Sequence, residues 1–384
     1  MTDSTGQRPP IQLFVPKFRT DETLEEIRET LERGWTGMGF KTVEIEKAWS
    51  DYTGLPHSHF LNSNTSGLHL AFDVLKSRHG WVDGDEIITT PLTFVSTNHA
   101  ILYTGLTPVF ADIDDMLCLD PESVLERITD RTRAVIFGGI GGNVGQYDRI
   151  RDICRERGLK LILDAAHMAG TRVEGRHVGH DADVTVFSFQ AVKNLPTGDS
   201  GMICFADAED DAKARRLSWL GISSDTYART TGAGSYKWRY EVEELGYKYN
   251  GNSVMAAMAL VALKYLDEDN ARRREICDLY DRYLEGQPGI VRVPMAPGTE
   301  PSRHLYQVLI EDRDETILKL NARGVAPGVH YRDNSAYSLY QPYAGNTPRA
   351  AEASEKLLSL PLHMSLTDDD VAYVAEQLIA VVSG

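Results

Sequence analysis

The sequence predicts an α/β fold: a mostly parallel central sheet flanked by helices, followed by a smaller C-terminal α+β domain. Helix-like and strand-like segments alternate over the first two thirds of the 384 residues, which is the pattern of a parallel sheet covered by helices. The alternation ends at a charged helix predicted for residues 268–284. Since domains usually hold about 100–200 residues, we expect a large domain at residues 1–265 and a small one at residues 266–384.

The helices and strands of the large domain follow from hydrophobic periodicity and from turn residues. Leu24, Ile27 and Leu31 share one face of a first helix, which Gly34 stops. Further helices are predicted at residues 43–52, directly after the turn at 62–67, and at 93–103, 121–128, 147–157 and 253–266. Strands are predicted at residues 86–90, 107–111, 133–137, 159–163, 184–187 and 201–205.

The small domain follows the charged helix and has a different order of elements. A strand is predicted at residues 304–310 and a helix at residues 314–322. The last helix starts at TDDD (367–370), which resembles a capping box. This mixture indicates an α+β unit.

Composition and charge exclude several classes of protein. Lys and Arg number 40 against 56 Asp and Glu, a net charge of −16, which argues against general affinity for nucleic acid or an anionic membrane. The four cysteines are scattered without a C-x-x-C pair, as in proteins of a reducing compartment. The longest apolar run, residues 255–263, is shorter than the ~20 residues of a bilayer span. The polar N-terminus lacks a secretory signal core, so we expect a cytoplasmic protein.

A glycine-rich stretch, GGIGGNVG (138–145), lies between a predicted strand and a predicted helix. Together with Asp164 it imitates a dinucleotide-binding unit, in which an acidic residue follows the glycines by about 20 residues. The glycine spacing differs from G-x-G-x-x-G. A nicotinamide-dependent sugar oxidoreductase is therefore an alternative from a different class, and it ranks below the hypothesis that follows.

Three other stretches place reactive or anion-binding groups at compatible ends of elements. NTSG (64–67) opens a helix, where hydroxyls and free N–H groups could hold a phosphate, although an ordinary N-cap has the same pattern. Asp164 ends an apolar strand at the edge where parallel sheets bind ligands, although it could equally cap a helix. Ser188 and Lys193 follow the strand at residues 184–187.

Pyridoxal 5′-phosphate (PLP) needs all three of these groups. It takes a lysine for a Schiff base, a carboxylate that keeps its ring nitrogen protonated, and a cup for its phosphate. Burial lowers the pKa of an ammonium group and frees the amine as a nucleophile, which explains a lone Lys193 just past a strand. The combination is a stronger signal than any one stretch, and it predicts a PLP enzyme.

Five stretches resemble the DegT/DnrJ/EryC1/StrS family of PLP-dependent sugar aminotransferases, which has the aspartate-aminotransferase fold (fold type I). They are NSNTSGLHLAF (62–72), TTPLTFVST (89–97), DAAHMAGT (164–171), FSFQAVKNLPTGDSGM (187–202) and ELGYKYN (244–250). The resemblance runs from near Arg33 to the C-terminal helix. The stretches around Asp164 and Lys193 are its most specific parts.

The resemblance implies a role for each matching residue. Lys193 matches the Schiff-base lysine, and Asp164 matches the partner of the ring nitrogen. His167 matches the residue that hydrogen-bonds the ring hydroxyl oxygen, and Phe94 would stack on the ring face. The residues implied to hold the phosphate are Thr65, Ser66 and Ser188, together with Asn250 from the second subunit of a homodimer that shares its active sites.

Several positions depart from the usual family pattern and indicate the substrate side of the site. Gln190 stands where many members have histidine, and residues 199–200 are Asp-Ser where many have Glu-Gly. The stretch HYRDNSAYSLY (330–340) stands where members often have a proline-rich segment before a histidine. We therefore expect Gln190, His330 and Tyr331 near the substrate.

Two further patterns have ordinary explanations. His177 and His180 have a spacing that could bind zinc, but they stand among the glycines of a predicted hairpin turn, so we expect no metal. Tyr236, Trp238 and Tyr240 alternate like a half-buried strand, and we expect them in a loop near the neighbouring active site.

The resemblance implies an aminotransferase that moves an amino group from an amino acid, L-glutamate in our hypothesis, to a keto sugar. The acceptor that we expect is a nucleotide-linked keto-deoxysugar, aminated by a ping-pong aldimine/ketimine mechanism with Lys193 as the proton shuttle. An aminocyclitol ketone is an alternative acceptor. A PLP-fold sensor without turnover is a third alternative. Lys193 argues against the relatives that have histidine at this position and perform a dehydration.

Overall fold

The computed structural model describes residues 8–222 and 240–384, and the statements below refer to these residues. A seven-stranded sheet lies at the centre, and two three-stranded sheets accompany it. In chain order the strands are β1 (Ser58–Leu61), β2 (Glu86–Thr89), β3 (Thr107–Phe110), β4 (Thr132–Gly138), β5 (Lys160–Asp164), β6 (Arg172–Val173), β7 (Arg176–His177), β8 (Val184–Ser188), β9 (Gly201–Phe205), β10 (Val291–Arg292), β11 (Thr299–Glu300), β12 (Tyr306–Leu309) and β13 (Leu357–Leu360).

The central sheet has the strand order β1-β9-β8-β5-β4-β2-β3. The five strands from β8 to β3 run parallel to one another. Strand β9 runs antiparallel to β8, and β1 runs antiparallel to β9 at the edge of the sheet. The predicted mostly parallel α/β sheet is therefore confirmed, with two antiparallel strands added on one side.

Helices cover the sheet and build the C-terminal part of the chain. They are α1 (Thr20–Glu32), α2 (Phe40–Thr53), α3 (Asn64–His79), α4 (Val95–Tyr103), α5 (Pro121–Arg127), α6 (Tyr147–Arg157), α7 (Ala208–Ser218), α8 (Ser253–Lys264), α9 (Leu266–Leu284), α10 (Arg313–Ala322), α11 (Pro348–Lys356) and α12 (Asp368–Val382). The predicted capping box is present at the start of α12, where Thr367 and Asp370 bond each other's backbone N–H groups.

Buried side chains on the two faces of the sheet form two cores, because successive residues of a strand point to opposite faces. Val135 and Phe137 of β4 lie in one cluster, which also contains Trp49 of α2. Ala134 and Ile136 lie in the other cluster, which includes residues of α3 and α7. The central strands β4, β5 and β8 are therefore buried on both faces, as parallel strands usually are.

A third buried cluster joins the C-terminal elements. It contains Ile276 of α9 and Val308 of β12 together with Ile11 from the N-terminal segment. Ile11 also forms a backbone bridge with Val325, and Leu13 O accepts a hydrogen bond from the backbone N–H of Leu362. The N-terminal segment thus crosses the C-terminal elements before it reaches α1.

The apolar residues of α1 do not face the core of this chain. Leu24 is 54% exposed and Leu31 is 59% exposed, whereas Thr23 and Thr30 are buried. Leu245, in the segment that follows residue 240, is 90% exposed. These side chains therefore contribute little to the buried core of this chain.

Two further findings concern the whole described chain. No helix within residues 8–222 and 240–384 has the length and apolar character needed to cross a membrane. The four cysteines are free and buried.

One prediction concerns residues that the structure does not describe. Tyr236 and Trp238, for which we predicted a place near the neighbouring active site, lie outside the described residues.

Candidate active site

A cavity of about 420 Å³ opens at the carboxyl edge of the central sheet. Parallel α/β sheets bind ligands at this edge, since loops and helix N-termini converge there. The residues that line the cavity where β2, β4, β5 and β8 end are Thr90, Gly138, Asp164 and Ser188. The first turns of α3 and α4 and the C-terminal segment at residues 304–331 close its other sides.

Lys193 lies in the loop after β8 and lines the cavity. Its backbone N–H donates to Gln190 O at 2.8 Å, which closes a tight turn. Burial lowers the pKa of the Lys193 amine to about 8, against the attraction of Asp164. At pH 7 roughly a tenth of the amine is therefore unprotonated, far more than for an exposed lysine, so Lys193 can act as a nucleophile.

Asp164 ends β5 and is buried at the floor of the cavity. Thr97 Oγ1 donates to its Oδ2 at 2.7 Å, and Asn64 Nδ2 and the Ala166 N–H donate to its Oδ1 at 3.3 and 3.2 Å. Burial raises the pKa of this carboxyl, while the three donors and the positive charge of Lys193 oppose that rise. The contacts hold Asp164 as an oriented hydrogen-bond acceptor.

His167 follows Asp164 in the same loop. Its Nδ1 accepts a hydrogen bond from the backbone N–H of Gly141 at 3.2 Å, and its Nε2 lies 3.0 Å from Tyr331 Oη. Burial lowers the pKa of His167 well below its usual value, so the ring is neutral. Since Nδ1 accepts, the proton is on Nε2, which makes Nε2 a donor toward Tyr331 Oη.

Hydroxyl groups at the start of α3 and at the end of β8 form a second polar wall. Thr65 and Ser188 line the cavity. Ser66 does not: its single O–H faces two acceptors, Asn62 Oδ1 at 2.7 Å and Ser63 O at 2.8 Å. Ser63, which caps α3 by accepting the Ser66 N–H, lines the cavity instead.

Gly201 of β9 packs directly against this wall. A Cβ at this position would lie 2.8 Å from the backbone nitrogen of Asn64, which is closer than real Cβ contacts allow. The strand can therefore pass the first turn of α3 only without a side chain. This close approach fixes where the first N–H groups of the helix lie.

The predicted aromatic plate and the predicted substrate residues are distributed around the mouth. Phe94 precedes α4, is 56% exposed, and has its ring 5.8 Å from that of Tyr331. Gln190 lines the cavity and accepts the Val192 N–H at 3.0 Å. His330 also lines the cavity, and burial lowers its pKa to about 4.

Asn250 lies away from the cavity of its own chain. It forms a backbone bridge with Leu61, and its Nδ2 donates to Gly251 O at 3.0 Å. Its Oδ1 is buried and has no hydrogen-bond partner among the described residues. Its side chain thus keeps one free acceptor.

The structure adds residues that had no predicted role. Thr97 and Asn64 hold Asp164, and both lie in stretches that carried the resemblance. His304 and Phe14 also line the cavity, and their rings stack at 5.4 Å and 8°. Their signal in the sequence was weak, because neither residue belongs to a motif with a recognisable spacing.

The glycine-rich loop at residues 138–145 is packed against protein. Gly141 and Gly142 have φ values of 62° and 90°, and a Cβ on Gly142 would lie 2.4 Å from Ser302 Oγ. The Gly141 N–H is used by His167. The loop therefore shapes the lysine cavity, and nothing in it favours a dinucleotide.

The two histidines with zinc-like spacing bond backbone groups. His177 Nε2 accepts the Gly170 N–H at 3.0 Å, and its Nδ1 lies 2.8 Å from Val178 O. His180 Nε2 lies 2.9 Å from Thr53 O. No group of three metal-binding side chains occurs anywhere in residues 8–222 or 240–384.

The fold and the comparisons agree on the class of protein, which is an aminotransferase of fold type I. The model of the DegT/DnrJ/EryC1/StrS aminotransferase family matches residues 18–379. The chain belongs to this family. The resemblance noted in the sequence is thereby confirmed.

Three relatives extend over almost the whole chain. The spore coat polysaccharide biosynthesis protein SpsC of Bacillus subtilis is 38% identical over 375 residues, 94% of this chain and 95% of that protein. A dTDP-4-dehydro-2,3,6-trideoxy-D-glucose 4-aminotransferase of Saccharopolyspora spinosa is 34% identical, over 96% of this chain and 95% of that one. The solved PLP-form of Spr1654 from Streptococcus pneumoniae has 30% identity and a TM-score of 0.89, and covers 97% of this chain and 99% of that chain.

Proposed function

We propose that the protein is a PLP-dependent aminotransferase that moves an amino group from L-glutamate to a nucleotide-linked keto-deoxysugar. The observation that carries this proposal is the Lys193 amine, whose pKa burial lowers to about 8, in a cavity that also contains the buried Asp164. The PLP-form and PMP-form structures of Spr1654 support the cofactor. The dTDP-sugar aminotransferase of Saccharopolyspora spinosa supports the acceptor.

The groups around the cavity fit PLP. Lys193 supplies the amine for a Schiff base, and Asp164 supplies an oriented carboxylate for the ring nitrogen. Thr65 and Ser188 supply hydroxyls beside the N-terminus of α3, where free N–H groups favour an anion. Ser66 would contribute mainly by shaping that first turn, since its hydroxyl bonds Asn62.

When bound, PLP supplies an electron sink that stabilises negative charge on the substrate carbon. Lys193 Nζ then takes the proton from that carbon and returns it, as a general base and acid whose pKa is close to the working pH. The Asp164 carboxylate would keep the ring nitrogen of PLP protonated, because a negative charge beside a basic nitrogen favours its protonated form. His167 would donate from Nε2 to the ring hydroxyl oxygen of PLP, and Phe94 would cover one face of the ring.

Aromatic side chains form part of the cavity lining. Phe14, Phe94 and Tyr331 line it, and Gln190 and His330 add polar groups near the mouth. Aromatic faces pack well against apolar edges, which suits a sugar that lacks some of its hydroxyls. An aminocyclitol ketone remains the alternative acceptor.

The site is completed by a second copy of the chain in this proposal. Asn250 would donate the second N–H of its Nδ2 to the phosphate bound by its partner, since only one of the two is needed for Gly251 O, and the exposed Leu245 supports a contact there. The large PLP-binding domain would end at residue 265, since α8 ends at Lys264 and α9 begins at Leu266. The cytoplasmic location stays a prediction.

A half-reaction experiment tests the function. The purified PLP-loaded protein is mixed with glutamate, and loss of the visible PLP absorbance together with formation of 2-oxoglutarate is measured. Keto sugars are then added as a panel of nucleotide-linked sugars and cyclitol ketones, and return of the absorbance identifies the acceptor. We expect a nucleotide-linked keto-deoxysugar to restore it fastest.

The same experiment separates the alternatives. A cyclitol ketone that restores the absorbance faster than every nucleotide sugar would replace the acceptor that we propose. Failure of glutamate and other amino acids to change the absorbance would indicate a PLP-binding sensor without turnover. A colourless protein that binds NADH would contradict the PLP proposal itself.

A further inference from the structure

His304 is the neighbour of Lys193 that no sequence motif identified. It is 1% exposed, lines the cavity, and has its Nε2 3.5 Å from Lys193 Nζ. We propose that His304 is a positioning residue for the Lys193 amine: the neutral imidazole accepts a hydrogen bond from Nζ through Nε2 and so fixes the direction of the amine. This inference rests on the proposed function, in which Lys193 is the reactive group.

Packing holds the His304 ring in one orientation. Phe14 stacks on one side, with ring centroids 5.4 Å apart and an interplanar angle of 8°. His167 packs at 4.3 Å with a tilt of 38°. The His304 backbone N–H donates to Gly141 O at 3.0 Å, and Gly141 N–H in turn donates to His167 Nδ1. An acceptor held this firmly can orient a flexible lysine side chain.

The charges around His304 keep its ring neutral. Burial is the main cause that lowers its pKa well below the usual value, and the positive charges of Lys193 and Arg273 lower it further. The rings of His167 and His330 would add repulsion only when protonated. These groups come from the Lys193 loop, the Asp164 loop, α9 and the segment before α11. Asp164 attracts the positive charge of Lys193 and so opposes the lowering of its pKa by burial.

A neutral ring beside an ammonium group allows only one tautomer. A lysine ammonium has donors and no acceptor, so the imidazole nitrogen that faces it must be unprotonated. The proton of His304 is therefore on Nδ1. This Nδ1 is buried without a hydrogen-bond partner among the described residues, which makes Nε2 the nitrogen with a partner.

The unpaired Nδ1 argues for a functional role. A buried polar atom without a partner destabilises the fold, and an apolar ring at position 304 would avoid that loss. Exceptions of this kind concentrate at functional sites. A histidine here is better explained by the contact between Nε2 and Lys193 than by packing.

Two variants separate the hydrogen bond from the packing. His304→Phe keeps a flat ring between Phe14 and His167 and removes the acceptor. His304→Gln loses the ring but can place an amide oxygen near the position of Nε2.

The measurement is the reactivity of the Lys193 amine. The cofactor-free full chain is acetylated with a trace of acetic anhydride at a series of pH values. Mass spectrometry of the Lys193 peptide gives the midpoint of its reaction.

For the unmodified chain we expect the acetylation of Lys193 to have its midpoint near pH 8. In His304→Phe this midpoint should be lower by about one pH unit, because the Lys193 ammonium group loses its hydrogen-bond acceptor. His304→Gln should stay near the original midpoint. In the PLP-loaded enzymes, kcat should fall by about tenfold or more in His304→Phe and recover in part in His304→Gln, with KM changed less than about twofold. Equal midpoints in all three proteins, or equal shifts in both variants, would overturn the proposal.

The titration needs no turnover, so it separates this inference from the proposed function. A chain that fails to transaminate but shows the expected midpoints contradicts only the function. An active enzyme with unchanged midpoints contradicts only the role of His304. If His304→Phe does not fold, nitrogen-15 imidazole NMR of the unmodified chain at about pH 6.5, where Lys193 is protonated, decides: an unprotonated Nε2 supports the proposal, and a protonated Nε2 overturns it.

Discussion

Thr97 donates a hydrogen bond of 2.7 Å to Oδ2 of Asp164, and this contact connects α4 to the end of β5. Thr97 is 2% exposed, so no solvent can replace its hydroxyl. The hydrogen bond lowers the pKa of Asp164 against the effect of burial. Thr97 therefore helps to keep the carboxylate charged and oriented.

Replacing Thr97 by valine should weaken catalysis without disturbing the packing, since the two side chains have similar shapes. Loss of a hydrogen bond to a charged group costs about 1.5–3 kcal/mol, so we expect kcat/KM to fall about 10- to 100-fold. The acidic limb of the pH–rate profile should move to higher pH, because the pKa of Asp164 rises. Thr97→Ser, which keeps the hydroxyl, is the control. A valine variant with the original profile would show that Thr97 has no part in holding Asp164.

Leu245 should lie at the contact between two copies of the chain. It is 90% exposed and lies five positions before Asn250, which in our proposal serves the partner's site. A glutamate at position 245 should shift the protein toward monomer in sedimentation velocity at low concentration, because it places a charge in an apolar contact. Leu318→Glu is the matched control, since Leu318 is 71% exposed on α10. Equal sedimentation of both variants would argue against a contact at Leu245.

Acid should destabilise the fold through His177. Burial lowers its pKa to about 4, whereas an unfolded histidine titrates near ~6.5. The unfolded chain therefore binds more protons within this window, so His177 contributes its full stability above about pH 6.5 and loses it as the pH falls toward 4. The loss amounts to about 3 kcal/mol.

Urea unfolding at several pH values measures this loss. The free energy of unfolding of His177→Gln should fall less steeply between about pH 6.5 and pH 4 than that of the unmodified chain, because glutamine does not titrate. His180→Gln, three residues further along the chain, is the matched control. The same pH dependence in all three proteins would contradict the assignment to His177.

Much of the fold could be predicted because its strands are apolar and its turns are marked. β4 and β5 are continuous apolar runs buried on both faces, and the capping box at Thr367 defines the start of α12. Strand β1 was missed because its sequence, SHFL, is half polar, although Ser58 and His59 are buried in the fold. Helix α7 was missed because its sequence, AEDDAKARRLS, has no clear apolar stripe.

The site was predicted where its groups belong to local patterns. Lys193 and Asp164 each follow an apolar strand, so their position at the edge of the sheet could be inferred from the sequence. His304 is 111 residues from Lys193, and only the packing of the C-terminal elements onto the sheet brings the two together. Hydrogen bonds such as that of Ser66 to Asn62 depend on the exact geometry of a turn, which a pattern of residue types does not specify.

Covalent attachment of PLP at Lys193 is the central claim, and borohydride reduction tests it most directly. The purified protein is incubated with PLP, reduced, digested and analysed by peptide mass. We expect the mass of one reduced pyridoxyl phosphate group on the peptide that contains Lys193, and none on that peptide in Lys193→Ala. An unmodified Lys193 peptide from the reduced protein would contradict the account.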